Sequence, residues 1–186
     1  MKRIQLLIVC LSAAFLIGCG GKRQKSELEE KLIFQIDSID ENTGVQRMQV
    51  SHIDMYISCK GKKYNLKIDR VPADDLPVVD SEMGTFADNR ITIKITRENG
   101  TSLFTKSFTK NDFAAHLTAN YLKHSVLEGL VFDDVKTTEN NEITLAASVS
   151  YPMTDLYIPF TLVVSHDGKL SLSKDEDMGE LTPMDE

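Results

Sequence analysis

Five carboxylates fall within one irregular stretch of this chain, VPADDLPVVDSEMGTFADN at residues 71–89: Asp74, Asp75, Asp80, Glu82 and Asp88. Two chemistries use such groups. Calcium gathers about six to eight oxygens, many from loop carboxylates, and a carboxylate pair at a set separation hydrolyses glycosidic bonds. EF-hand spacing is absent, and acids in long loops are commonly just solvated. The five stand as cation-binding candidates, with solvation as the simpler alternative; Asp133 and Asp134 form a smaller acidic group. The histidines, His52, His116, His124 and His166, are scattered. On a helix His116 and His124 would lie two turns apart, about 12 Å along the axis, too far to share a metal. The sequence contains no G-x-S-x-G elbow, C-x-x-C pair, H-E-x-x-H pair or glycine-rich phosphate loop. No catalytic residue, metal-ligand set or cofactor is assigned.

One cysteine has a clearer chemistry. Lys2 and Arg3 precede an apolar run from Ile4 to Ile17, about 14 residues against the ~20 that span a bilayer. A basic start, a short apolar run and small residues read as a secretory signal. The junction Leu16-Ile17-Gly18-Cys19 resembles the lipobox of bacterial lipoproteins. That resemblance implies a diacylglyceryl thioether on Cys19, cleavage after Gly18 and acylation of the new amino group, with palmitate among the chains such proteins carry. An ordinary signal peptide with an incidental cysteine is the alternative. Two or more acyl chains hold a protein stably on a membrane. The residue after the cysteine is Gly20 rather than Asp, which in similar lipoproteins goes with the outer membrane. Surface export in Bacteroides-type bacteria goes with acids directly after the cysteine, whereas Gly20-Gly21-Lys22-Arg23 stand here, favouring the periplasmic face.

The 186 residues carry 28 acidic and 21 basic side chains, a net charge of −7. Loss of Lys2 and Arg3 with the signal makes the mature chain more acidic still. No basic patch with interleaved aromatics occurs, which argues against a nucleic-acid partner. Of three cysteines, Cys10 leaves with the signal and Cys19 is lipidated. Cys59 is left alone, so no intrachain disulfide is expected; it reads as a small buried hydrophobe.

The organisation follows: a signal over 1–18, the lipidated cysteine and tether over 19–30, one domain over 31–174 and an acidic, disordered tail over 175–186. Leu28 to Ile39 fits a helical stripe or a strand equally well. Ile53, Met55, Ile57 and Cys59 alternate with polar residues, as do Tyr64, Leu66 and Ile68. A two-residue type II′ turn at Gly61-Lys62 would set Cys59 opposite Tyr64 and Ile57 opposite Leu66. Asn99-Gly100 predicts a second, type I′ hairpin, with Ile95 opposite Phe104 and Ile91 opposite Phe108. Thr109 and Asp112 form a capping-box pattern with a Phe108–Phe113 staple. Phe113, Leu117, Tyr121 and Leu122 then line one face of an amphipathic helix over about 110–128, stopped by Gly129. Ile143 to Tyr151 and Leu156 to Val164 alternate around a turn at Pro152–Asp155. Pro159 places its strand at an edge or a bulge. A three-residue loop at His166–Gly168 keeps Leu170 and Leu172 on the face of Val164 and Leu162. The fold class is α+β: an antiparallel meander of about six to eight strands, open to curling into a half-barrel, with one helix.

Several segments are similar to a family of small Bacteroides-type lipoproteins carrying a domain of unknown function. They are Lys67-Ile68-Asp69-Arg70-Val71-Pro72, Ala87-Asp88-Asn89-Arg90-Ile91, Phe104-Thr105-Lys106-Ser107-Phe108-Thr109-Lys110 with Asp112-Phe113, Leu127-Glu128-Gly129-Leu130-Val131-Phe132, and Val149-Ser150-Tyr151-Pro152. The resemblance spans roughly residues 50–175 and brings no catalytic residues with it. Asp37-Ser38-Ile39 is similar to the Asp-Ser/Thr-apolar motif at which such bacteria O-glycosylate exported proteins, making Ser38 a glycosylation candidate. Asn99-Gly100-Thr101 fits the Asn-linked pattern but reads as a turn. The expected function is a lipid-anchored envelope module that binds a protein partner or a small ligand. The alternatives are an enzyme or cation-binding protein with its site in the 71–89 loop, and a structural envelope protein without a specific ligand.

Overall fold

The computed structural model describes residues 36–175. Cys19, the tether and the acidic tail beyond Asp175 lie outside the described residues. Twelve strands form three four-stranded sheets, none of them closed. Sheet 1 has the order β3-β4-β7-β8, from β3 (Ser51–Cys59), β4 (Lys62–Pro72), β7 (Asn89–Arg97) and β8 (Ser102–Phe108). Sheet 2 has the order β12-β11-β10-β9, from β9 (Val126–Phe132), β10 (Ile143–Ser150), β11 (Tyr157–Val164) and β12 (Leu170–Lys174). Sheet 3 has the order β1-β2-β6-β5, from β1 (Ile36–Ile39), β2 (Gln46–Met48), β5 (Val79–Ser81) and β6 (Gly84–Phe86). The pairings are antiparallel except β2 with β6, a parallel bridge at Gln46 and Phe86. The architecture is therefore β-rich and mostly antiparallel, but it is not a single meander.

Period-2 alternation builds sheets 1 and 2. Ile57, Leu66, Ile68, Ile91, Ile93 and Ile95 from sheet 1 share one core with Leu127, Leu145, Val149, Phe160 and Leu162 from sheet 2. Alternating strands present one apolar face each, and two such faces bury each other. Arg70 on β4 ties the sheets together, donating from Nη1 to the Glu128 carbonyl at 2.7 Å. Sheet 3 has its own small core of Val79 and Phe86, which packs on Val126.

The turns depart from expectation in instructive ways. The first hairpin turns at Lys60-Gly61, with φ of 50° and 70°, so Cys59 pairs with Lys62 and Ile57 with Tyr64. Two left-handed residues make a type I′ turn, whose twist matches the strands. The slip from the expected register is by two residues, so every side chain keeps its face. At Asn99-Gly100 the loop has three residues, closed by Arg97 N–H to the Thr101 carbonyl at 2.8 Å. A bulge between Ile95 and Thr96 absorbs the extra residue, and Ile95 meets Phe104 and Ile91 meets Phe108 as expected. The His166–Gly168 loop also gives the expected pairs, Val164 with Leu170 and Leu162 with Leu172. Pro159 does not lie on an edge strand, because β11 sits between β10 and β12. Its carbonyl accepts from Asp175 N–H just past the end of β12. The missing N–H points to that same side, where the ladder has stopped.

The helix expected over 110–128 is the main correction. Residues Lys110–His116 form a 3-10 helix, Leu117 is extended, and α1 runs only from Ala119 to His124. The first turn behaves as read: the Asp112 carboxylate accepts from Thr109 N–H at 2.9 Å, and the Phe108 and Phe113 rings sit 6.3 Å apart. Thr118 then interrupts, its hydroxyl accepting from Tyr121 N–H and capping a new helix. A β-branched hydroxyl residue offers the backbone this alternative to continuing. Gly129 does not stop a helix. It pairs with Ser148 inside β9, where Glu128 is the extra residue of a bulge. A further helix, α2, spans Asp134–Asn140, with Asp133 as its N-cap accepting from Lys136 N–H at 2.8 Å.

Candidate functional site

The acids of the 71–89 stretch do not converge. The stretch is not one long loop, since it contains the β5–β6 hairpin. Asp74 pairs with Arg47 at 2.6 Å, and Asp75 takes both terminal nitrogens of Arg90 at 2.8 and 3.1 Å. Arg90 holds the Asp75 carboxyl below its ordinary range. Asp88 is 2 % exposed. Its Oδ1 accepts from Asn89 N–H at 2.8 Å and Leu127 N–H at 3.0 Å, and Lys110 Nζ stands 3.5 Å from Oδ2. Burial pushes this carboxyl up, against the pull of Lys110 and the two N–H groups. Asp88 is thus a clamp joining the start of β7, the start of β9 and the 3-10 helix. Among the described residues no three His, Cys, Asp or Glu side chains are grouped closely enough to hold a metal ion.

Asp80 and Glu82 reach a different environment. They line an open cleft of about 680 Å³ with Ser81, Met83, Asn120, His124, Tyr151, Pro152, Thr154 and Leu156. Three short segments wall it: the β5–β6 turn, α1 and the β10–β11 turn. In the first wall the Ser81 hydroxyl accepts from Met83 N–H at 3.1 Å and donates to the Gly84 carbonyl at 3.2 Å. Asp80 Oδ1 accepts from the Thr85 hydroxyl at 2.8 Å. Gly84 has φ +118°, and a Cβ there would fall 2.5 Å from Gln46 Nε2. Gln46 needs that space to donate to the Met83 carbonyl at 3.1 Å.

Tyr121 and His124 pin the second wall to its neighbours. The Tyr121 hydroxyl donates to the Val149 carbonyl at 2.9 Å, with Leu156 O at 3.3 Å. Its ring lies 4.5 Å from that of Tyr151, and burial raises the phenol's pKa further. His124 Nδ1 lies 2.8 Å from the Asp80 carbonyl. A carbonyl only accepts, so Nδ1 carries a proton. In the third wall, Tyr151 N–H donates to Leu156 O at 2.9 Å and Leu156 N–H to the Thr154 hydroxyl at 3.2 Å. Met153 sits between them at φ 60°, a left-handed conformation that costs a non-glycine residue roughly 1 kcal/mol.

Two exposed apolar side chains reach the cleft itself, and three more are exposed close by in sequence. Met83 and Leu156 line the cleft, and Val78, Met153 and Tyr157 are exposed within two residues of lining positions. These make up half of the large apolar residues found exposed among the described residues. Elsewhere Cys59 is buried and free, and burial pushes its thiol up, away from reactive thiolate. Ser38 is exposed on β1. His116 stacks near Phe160, far in role from His124, and His52 pairs with Asp69.

Fold and cleft together define a small β-rich domain with an apolar-mouthed surface cleft and acids on one wall. The chain belongs to the family described as a domain of unknown function, DUF4738, whose model matches residues 33–172. No curated protein matches the chain.

Sequence reasoning reached two cleft residues, Asp80 and Glu82, for a different reason. It missed Tyr121, His124, Tyr151 and Leu156. Periodicity places Tyr121 on the apolar stripe of a helix, and Tyr151 and Leu156 on the strands flanking the Pro152–Asp155 turn. The one available signal was a turn unusually rich in apolar side chains, YPMTDL.

Proposed function

We propose that this protein is a lipid-anchored binding module of the bacterial cell envelope, which presents the cleft between β5–β6, α1 and the β10–β11 turn to a partner. The observation carrying this reading is a cleft lined by two exposed large apolar side chains, Met83 and Leu156, with Val78, Met153 and Tyr157 exposed within two residues of its lining. Isolated surface apolars are ordinary, but a cluster about a concave site marks an interaction surface. The anchor is supported by the Leu16–Cys19 junction, with the periplasmic face of the outer membrane as its expected location. The alternative of a cation or catalytic site in the acidic stretch loses support, because Asp74 and Asp75 are held by Arg47 and Arg90.

The test is site-specific photo-cross-linking in native membranes. Photoreactive residues at Met83 and Leu156 are expected to trap a recurrent partner, while one at Lys94, exposed on the outer face of sheet 1, traps none. Equal yields at all three positions would overturn the assignment of the cleft. Mass spectrometry of the N-terminal peptide from the membrane-bound protein is expected to show a chain beginning at an acylated Cys19, and an unmodified Cys19 would refute the anchor.

A further inference from the structure

We infer that the cleft takes a basic, apolar segment of another protein, recognised through side chains rather than by strand addition. This rests on the reading of the cleft as the binding site, and it adds the chemistry of the occupant. The first support is charge. Asp80 and Glu82 line the cleft, Asp155 stands in its third wall, and no Lys or Arg is among the lining residues. The contrast within one stretch of chain is direct: Asp74, Asp75 and Asp88 each have a cation within 3.5 Å, while Asp80 and Glu82 have no ion pair among the described residues. A concave site of one sign draws ligands of the other. An anionic partner would meet these carboxylates with nothing to offset them.

The second support is apolar extent. Met83 and Leu156 can grip one large apolar side chain across the cleft, and methionine adapts to varied shapes. Val78, Met153 and Tyr157 are exposed within two residues of cleft-lining positions. A polypeptide crossing the mouth can extend beyond the cleft to such positions, whereas a small ligand held inside about 680 Å³ cannot.

The third support concerns how such a segment binds. β5 is an edge strand, and an edge normally invites an added strand. Asp80 opposes Thr85 next to the turn-closing pair Ser81 and Gly84, so its carbonyl faces the free edge. That carbonyl already accepts from His124. With the central residue of a three-residue strand taken, β5 offers no ladder. Recognition falls to side chains: an apolar anchor between Met83 and Leu156, and Lys or Arg toward Asp80 and Glu82.

The test uses the full-length chain in a neutral maltoside detergent, with fluorescein-labelled Lys-Leu-Lys-Phe-Lys, Glu-Leu-Glu-Phe-Glu and Lys-Ser-Lys-Ser-Lys as probes in anisotropy titrations. The first peptide is expected to bind at least about tenfold more tightly than either other. Glu82→Lys and Leu156→Asp, both at exposed positions, should each weaken it about tenfold with unchanged thermal unfolding. Indifference to the Lys-to-Glu exchange, or to both variants, overturns the proposal. If cross-linkers at Met83 and Leu156 still trap a partner in that case, the binding cleft stands and only its basic, apolar occupant is refuted. If they trap nothing, the reading of the cleft falls as well.

Discussion

Glu128 shows how much one residue's placement decides. As the extra residue of the β9 bulge, its side chain is half-buried, 3.5 Å from the Ser148 hydroxyl, and its carbonyl holds Arg70. Burial raises its carboxyl above the ordinary value, with Arg70 and neighbouring hydroxyls pulling back. The native state therefore keeps a proton that the unfolded chain has already lost. This contribution to stability is complete below the ordinary glutamate pKa and is lost as pH rises through the folded value. Glu128→Gln removes the titration. Its melting temperature relative to the native chain is expected to climb between pH 4 and pH 7, read by thermal unfolding across that range. A difference that stays flat or falls would show the carboxyl is not held protonated. Asp75 has the opposite sign: its lowered value adds stability above the ordinary aspartate pKa, lost as pH falls. Asp88 could not be told from its solvated neighbours by sequence, because burial depends on where β9 docks.

At the scale of elements, α1 is too short to hold itself in place, since isolated helices of this length are not stable in water. Thr118 caps it, and Tyr121 and His124 fasten it to two other segments. Tyr121→Phe is expected to cost about 1 kcal/mol in urea unfolding and to weaken capture at Leu156, because the third wall loses its tie to the helix. Unchanged capture would mean the β10–β11 turn holds its shape alone. The strands themselves were legible in the sequence: alternation placed β3, β4, β7, β8, β10 and β11 on their correct faces, and the His166–Gly168 loop came out in its register. What was not legible came from competition between local options. Thr118 offered a second cap within an apolar stripe that fits helix periodicity. Val126 to Glu128 extends the expected helix in sequence, and only pairing with β10 makes it part of β9. The short strands of sheet 3 carry too few residues to show any period. The cleft was hidden for the same reason, being assembled from three segments distant in sequence.

The whole molecule combines two sheets that share a large core with a third that has almost none of its own. Sheet 3 is held by Val79, Phe86 and Val126 and by one parallel bridge at Gln46 and Phe86, reinforced by Gln46 Nε2 to Met83 O and Ala87 N–H to Gln46 O. That bridge closes a loop that contains the whole β3–β4 hairpin. Non-local closure sacrifices chain entropy before contacts return it. Sheet 3 is accordingly expected to assemble last and open first, and native-state hydrogen exchange should find the amides of β5 and β6 opening at lower free energy than those of β7 and β10. Equal protection in all four strands would contradict this. With that order of opening, the cleft wall made by β5–β6 would loosen before the Tyr151–Leu156 side. An arriving segment would arrest that breathing, so part of its binding free energy would appear as slower exchange at residues 79–86, including amides it never touches.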